Sequence, residues 1–477
     1  MIKQFKFLLL VILLSIPAFF RMVRSGIFSM SDFHLFRLYE FDKCVKAMQI
    51  PCRWAPDAGL GYGEPLFNFY PQLPYAIGEI FHLLGFTFVD SLKILFTLSI
   101  IGSAIAIYFL AKHLWKSQWA GIVSAAIYIY APYRAVDVWV RGALPEALAF
   151  TIFPLIILAI EKRKLITLGF LLSALILTHN LSALMFLPVV LVWLIYRKYW
   201  KGFWGFIVAT GLSAFYVLPV IFESRFVNLV STTQGYFDFR AHFLTLSQIF
   251  LDFTWGYGGS TWGEGDGLNL SVGLIQWVLP LVIVLVFVLK KEILKQKEFL
   301  ILLIAGFVYL FLTHNKSTFI WENLSFTAYL QFPWRFLGVA VFCFALSSGL
   351  IVKIVKNRIF GFALLILVSY FVLRISNFFK PDIWYNVSDS YFLSGGEWDR
   401  QRSASIGDYW PNFGHKIPTA SSDGRYINYF PGWNYTPNEE GLIPAEGAEF
   451  ENTQIRNIGN IISLVALCVS ILLSFLL

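Results

Sequence analysis

The sequence predicts an all-α polytopic membrane protein with a small outer α/β or β-rich region, and three observations predict it. The chain is 57% hydrophobic and only 14% charged, whereas about a quarter of a soluble domain is charged. Apolar runs that read as candidate spans recur about a dozen times from one end to the other. Their connections alternate between Lys/Arg-rich and Lys/Arg-poor, which is how membrane orientation is written in a sequence.

Taken in order, the runs cover 5–21, 91–111, 117–133, 147–160, 165–178, 181–196, 203–222, 271–289, 298–313, 336–352, 359–376 and 457–477. Lys3 and Lys6 flank the first run, and Lys112/Lys116, Lys162/Arg163/Lys164, Arg197/Lys198/Lys201, Lys290/Lys291/Lys295/Lys297 and Lys353/Lys356/Arg358 fill every second connection after it. By the positive-inside rule both termini are cytoplasmic, and the remaining connections face outward. The net charge of +8 follows from this topology and from contact with anionic head groups. A nucleic-acid partner is excluded, because it needs a basic soluble surface that the sequence lacks.

The first run has the charge pattern of a signal peptide, but Phe19-Phe-Arg-Met22 offers no small-residue cleavage site, so it reads as an uncleaved span. Cys343 and Cys468 fall inside spans as apolar fillers, whereas Cys44 and Cys52 share the first outer loop. They are either a disulfide or two free thiols. Eight residues of continuous helix would hold them apart, yet Pro51 breaks the chain between them.

Three long stretches lie outside, at 22–90, 223–270 and 377–456, and they divide the chain into a transmembrane domain (1–376), an outer domain (377–456) and a last span (457–477). The first opens with a helix capped by Ser31 or Asp32 and striped by Phe33, Phe36 and Phe41. A loop rich in Gly, Pro and aromatics follows from Ala58 to Pro74, and 73–86 reads as interfacial, since a span there would invert every later charge. The second stretch, with His242 and the glycine-aromatic loop from Trp255 to Gly267, either covers a site or simply connects. In the third, Arg425-Tyr-Ile-Asn-Tyr-Phe-Pro-Gly-Trp-Asn434 predicts a strand and turn.

Charged groups at a membrane edge are costly unless they face a cavity or a partner, so their gathering on the outer side is a functional signal. Asp32 follows the first span, and Asp32-x-His34 puts two groups able to move protons or ligate a divalent cation at one helix start. A helix N-terminus favours the ionised carboxylate, which suits a base. The plainer reading of Asp32 is an N-cap, and of His34 a packing histidine. Arg134, Asp137, Arg141 and Glu146 crowd a short outer loop, where Arg141 holds either a phosphate or Glu146. His179 lies in a tight outer turn, and Arg335 opens a span, where snorkelling to head groups is the alternative. Phosphate-cradling, zinc-binding and nucleophile-elbow motifs are absent from the sequence.

Several ordered segments carry a resemblance: Ser31-Asp-Phe-His-Leu-Phe-Arg37, Arg53-Trp-Ala-Pro56, Gly59-Leu-Gly-Tyr-Gly-Glu-Pro-Leu-Phe-Asn-Phe-Tyr-Pro71, Arg141-Gly-Ala-Leu-Pro-Glu-Ala147, Thr178-His-Asn-Leu181 and Phe332-Pro-Trp-Arg-Phe-Leu337. They resemble a bacterial membrane family labelled "6-pyruvoyl-tetrahydropterin synthase-related", which in turn looks like a branch of the GT-C glycosyltransferases. That resemblance implies transfer of a sugar from a polyprenyl phosphate to an envelope glycan or glycopolymer at the outer face of the plasma membrane. It implies a catalytic role for Asp32, and the residues themselves add Glu146 as a second catalytic candidate and His34, Arg37, Arg53, Glu64, Tyr70, Arg141, His179 and Arg335 as candidate substrate contacts. A divalent cation near Asp32 and His34 is a further expectation. The sequence reading also carries a transporter of lipid-linked glycans, which predicts inverted repeats and broken spans, and a noncatalytic scaffold for envelope assembly. All of the spans read as continuous.

Overall fold

A computed structural model describes residues 2–29, 32–261, 265–354, 358–404, 409–414 and 417–476. The chain is a helical membrane protein. Each apolar run forms a helix because it lacks charge to solvate and saturates its backbone internally, as hydrocarbon demands. The hub is the helix Phe88–Trp115, packed against Ile2–Phe19, Gln118–Ile129 and Leu144–Glu161. Leu337–Ser348 is buried along its whole length between Lys297–Thr313 and Gln118–Ile129.

Among the described residues, the structure confirms fewer crossings than the twelve expected. Five helices, within Phe5–Val23, Phe88–Trp115, Leu144–Glu161, Pro333–Ile354 and Gln454–Ser474, are long and apolar enough to cross, and a bent pair makes a sixth. Of the shorter apolar helices, Gln118–Ile129 has 12 residues and rises about 18 Å at 1.5 Å per residue, against a hydrocarbon core of roughly 30 Å.

The expected continuous span at 203–222 is broken at Ser213, where Trp200–Leu212 and Ala214–Phe226 meet at 72°. Breaking a helix in lipid frees backbone groups that need partners. The C-terminal helix supplies one: Ser463 Oγ accepts from the Phe215 N–H at 2.9 Å and donates to the Gly211 carbonyl at 3.1 Å. Gly459 allows the close approach, since a Cβ there would lie 2.8 Å from the Ala214 carbonyl oxygen.

Outside the bundle, the helix Asp32–Lys46 buries Leu35, Phe36, Leu38 and Phe41. Ser31, one of its two expected caps, lies outside the described residues, as do Trp262 to Glu264 of the glycine-rich loop. The open cysteine question resolves to a Cys44–Cys52 disulfide with a Cα–Cα distance of 5.5 Å. The apolar piece after it is the helix Leu73–Leu83, too short to cross, which buries Tyr75 and Glu79 while exposing Ile80 and Leu83. Ile27–Phe28 pairs antiparallel with Trp384–Tyr385, tying the first outer stretch to the third. The strand foreseen after Arg425 is Tyr426–Asn428, paired antiparallel with Leu442–Pro444.

Candidate functional site

The site is built on the connection between Gln118–Ile129 and Leu144–Glu161. Pro132 opens a helical turn that widens into a π-turn over Val136–Val140, a feature frequent at functional sites. Widening leaves Asp137 and Arg141 on one side, and Arg141 Nη1 donates to Asp137 Oδ1 at 3.0 Å. The chain reverses at Gly142, whose φ of +59° suits glycine, and Glu146 then lies in the first turn of Leu144–Glu161.

There Glu146 is held from both sides. Arg141 Nη1 donates to Oε2 at 2.9 Å, and the Tyr133 hydroxyl donates to Oε1 at 2.6 Å. Of the two sequence readings of Arg141, the structure shows the pairing with Glu146, and the guanidinium also lies 4.6 Å over the Trp334 ring. Asp137 is fully buried, and burial with the neighbouring Glu146 charge pushes its carboxyl well up.

Arg335 reaches the same place from another element. Gln331 takes φ 63°, ψ −50°, a conformation rare outside glycine and costly enough to need a reason. Its side chain accepts from Arg335 Nη1 at 3.1 Å and donates to the Thr232 carbonyl at 2.8 Å, while Arg335 Nη1 also donates to the Leu330 carbonyl at 2.7 Å. The buried Nε of Arg335 has no partner among the described residues. His179, at the turn between Leu165–Thr178 and Asn180–Tyr196, shares a hydrogen bond with Ser182 Oγ at 2.7 Å through Nδ1. It lies within the fields of Glu146, Arg335 and Arg141, and burial drives it down to about 3, so it is neutral.

A second group of predicted residues joins through the backbone. The Leu144 N–H lies 3.4 Å from His34 Nε2, and Nδ1 shares a hydrogen bond with the Tyr75 hydroxyl at 2.8 Å. Arg37 sits 4.1 Å over the Tyr70 ring, and both bond the Tyr75 hydroxyl. Burial, then Arg37, hold His34 down at about 3. Asp32 is the first residue of that helix, and its side chain lies outside the described residues. Both ring nitrogens of His34 have partners, and among the described residues no three His, Cys, Asp or Glu side chains gather to hold a metal.

Two predicted residues lie elsewhere. Glu64 is buried in the outer loop, where its backbone bridges Ala55 and its side chain lies against Gly59. Arg53 bonds Asn68 and Asn460 instead. Conversely, Tyr133, Tyr75 and Trp334 belong to the site although nothing in their spacing marked them. Trp334 also answers the question left over 223–270: its Nε1 donates to Ser260 Oγ at 3.0 Å, and Ser260 bonds buried His242 at 2.8 Å. The second outer stretch therefore packs on the site.

An apolar groove of about 600 Å³ opens between Asn180–Tyr196 and Lys297–Thr313, lined by Leu184, Pro188, Ile304, Val308, Leu330 and Phe336 among others. Leu330 and Phe336 bracket Arg335, and Leu184 is five residues past His179. Through its bond to the Leu330 carbonyl, Arg335 lies beside the groove.

No protein-family model and no curated protein matches the sequence. Among solved structures, the cryo-EM structure of arabinofuranosyltransferase AftD from Mycobacteria is similar over 82% of this chain, at 14% identity and a TM-score of 0.47. A mutant of that enzyme is similar over 80%, at 14% identity and a TM-score of 0.46. The chain spans 28% of the length of both, and a likeness of this size assigns neither fold nor activity.

Proposed function

We propose that the protein is an integral membrane glycosyltransferase of the GT-C kind, moving a sugar from a polyprenyl phosphate to an envelope glycan or glycopolymer at the outer face of the plasma membrane. One observation carries this reading: two half-buried arginines, Arg141 and Arg335, lie within each other's field, and Arg335 holds the carbonyl of Leu330, which lines the apolar groove. A lipid phosphate needs that pairing, with cations for the head and hydrocarbon for the tail.

In this reading Asp32, at a helix N-terminus, takes the proton from an acceptor hydroxyl as the oxygen attacks the anomeric carbon. The bond from that carbon to the phosphate oxygen breaks, the lipid phosphate leaves with the electron pair, and the anomeric configuration inverts. Arg141 and Arg335 stabilise charge growing on the leaving phosphate, an interaction stronger in the transition state than before it. Glu146 has both oxygens committed to Tyr133 and Arg141. It is a positioning residue that aims Arg141, and the proton falls to Asp32. Neutral His34 and His179 orient the neighbouring backbone and hydroxyls.

The bent pair at Ser213 is the one feature that favours the transporter. Its freed groups are satisfied by Ser463, however, and in transporters such breaks line a substrate path. The deciding experiment incubates purified protein with radiolabelled polyprenyl-phosphate sugars and envelope extract, comparing wild type with Asp32→Asn. Transfer lost in the folded variant supports the enzyme. Absence of transfer from any donor, with glycan movement across vesicles unaffected by Asp32→Asn, sinks it in favour of the transporter.

A further inference from the structure

A second pair of arginines is buried away from Arg141 and Glu146. Arg53 is 3% exposed and Arg456 is 0% exposed, and a single carboxylate, Glu223, serves both. Glu223 accepts from Arg456 Nε at 3.0 Å, from Asn68 Nδ2 at 2.7 Å and from the Thr453 hydroxyl at 2.6 Å. Among the described residues, no carboxylate bonds Arg53. Its Nη1 donates to Asn68 Oδ1 at 3.4 Å and its Nη2 to Asn460 Oδ1 at 3.1 Å, and its Nε is buried without a partner among the described residues. Burial and repulsion from Arg456 pull Arg53 down to about 9. Two guanidiniums against one carboxylate leave a buried positive surplus, which is costly until an anion completes it.

Arg53 borders a polar cavity of about 390 Å³ together with Gln49, Asn452 and Asn457. Glu451 is also on its wall, but is exposed, where its charge is screened. The cavity shares Ile50 and Pro51 with an apolar groove of about 560 Å³ lined by Phe170, Ala174, Leu212 and Leu464, with Asn460 at its polar end. A positive head-group pocket running into a hydrocarbon groove has the form of a lipid. We infer that this surface binds an anionic membrane phospholipid, its phosphate on Arg53 and an acyl chain in the groove. The inference stands apart from the transferase reading, because none of these residues belongs to the Arg141 cluster.

Native mass spectrometry of the detergent-purified protein tests it, titrating phosphatidylglycerol, phosphatidylcholine and inorganic phosphate against wild type, Arg53→Gln, Arg53→Lys and Ala174→Trp. Phosphatidylglycerol is expected to bind wild type best, roughly tenfold more weakly to Arg53→Gln, with partial rescue in Arg53→Lys. Ala174→Trp, which fills the groove and leaves the arginine, is expected to weaken it too. Equal phosphatidylglycerol binding by wild type and Arg53→Gln overturns the site. Binding of inorganic phosphate that Ala174→Trp does not change overturns the lipid as its occupant.

Discussion

At Arg141 one guanidinium nitrogen serves Asp137, Glu146 and Tyr133 at once, which leaves its other N–H groups for a ligand. Replacing Arg141 or Arg335 with Ala is therefore expected to lower turnover about 100-fold or more, the usual cost of losing one preorganised donor to transition-state charge. Normal turnover in both variants would remove them from the mechanism. Tyr133→Phe deletes the donor to Glu146 and a weak acceptor for Arg141 but leaves both charges in place, so the expected loss is smaller, about tenfold, and should fall in kcat more than in KM. The histidines carry a pH prediction. Both His34 and His179 are held neutral down to about 3, below the free imidazole value near 6.5. Because the unfolded chain takes up those protons first, they cost stability as pH falls from about 6.5 toward 3 and cost nothing above it. The activity profile should accordingly show no inflection near pH 6.5, and a step there that disappears in His179→Asn would mean that this residue titrates in the working enzyme.

Elements set how these residues meet. The π-turn before Arg141, the left-handed Gly142 and the strained Gln331 each re-aim a chain that would otherwise continue as a plain helix, and hydrophobic periodicity is blind to all three. The same is true of the bend at Ser213, since both of its halves are apolar and the run reads straight through. Its partner is one hydroxyl on a distant helix. Ser463→Ala leaves the Phe215 N–H unpaired and is expected to destabilise by about 1 kcal/mol. Gly459→Leu, which forces a side chain against the Ala214 carbonyl, should lower the melting temperature in detergent further. If neither substitution moved it, the last helix would not be what secures the bend.

Across the whole molecule, the alternating charges predict that the hairpin 426–444 and the Arg141 cluster share one side of the membrane and Lys291 the other. In a background with Cys468→Ser, Glu439→Cys should react with an impermeant thiol reagent on intact cells, and Lys291→Cys only after permeabilisation. The reverse pattern would invert the topology and place the cluster inside. The sequence by itself determined that the chain is helical and membrane-embedded, because composition and the cost of unpaired backbone in lipid leave no other class. It also marked Arg141, Glu146, His179 and Arg335, because charge at a membrane edge is too costly to be idle. Only the tertiary structure decided which of these meet: it brought Tyr133 and Trp334 to them, set Arg53 apart with Arg456, and shortened several expected spans. Contacts such as Arg53 to Asn460, 407 residues apart, follow from packing in three dimensions, and no local pattern encodes them.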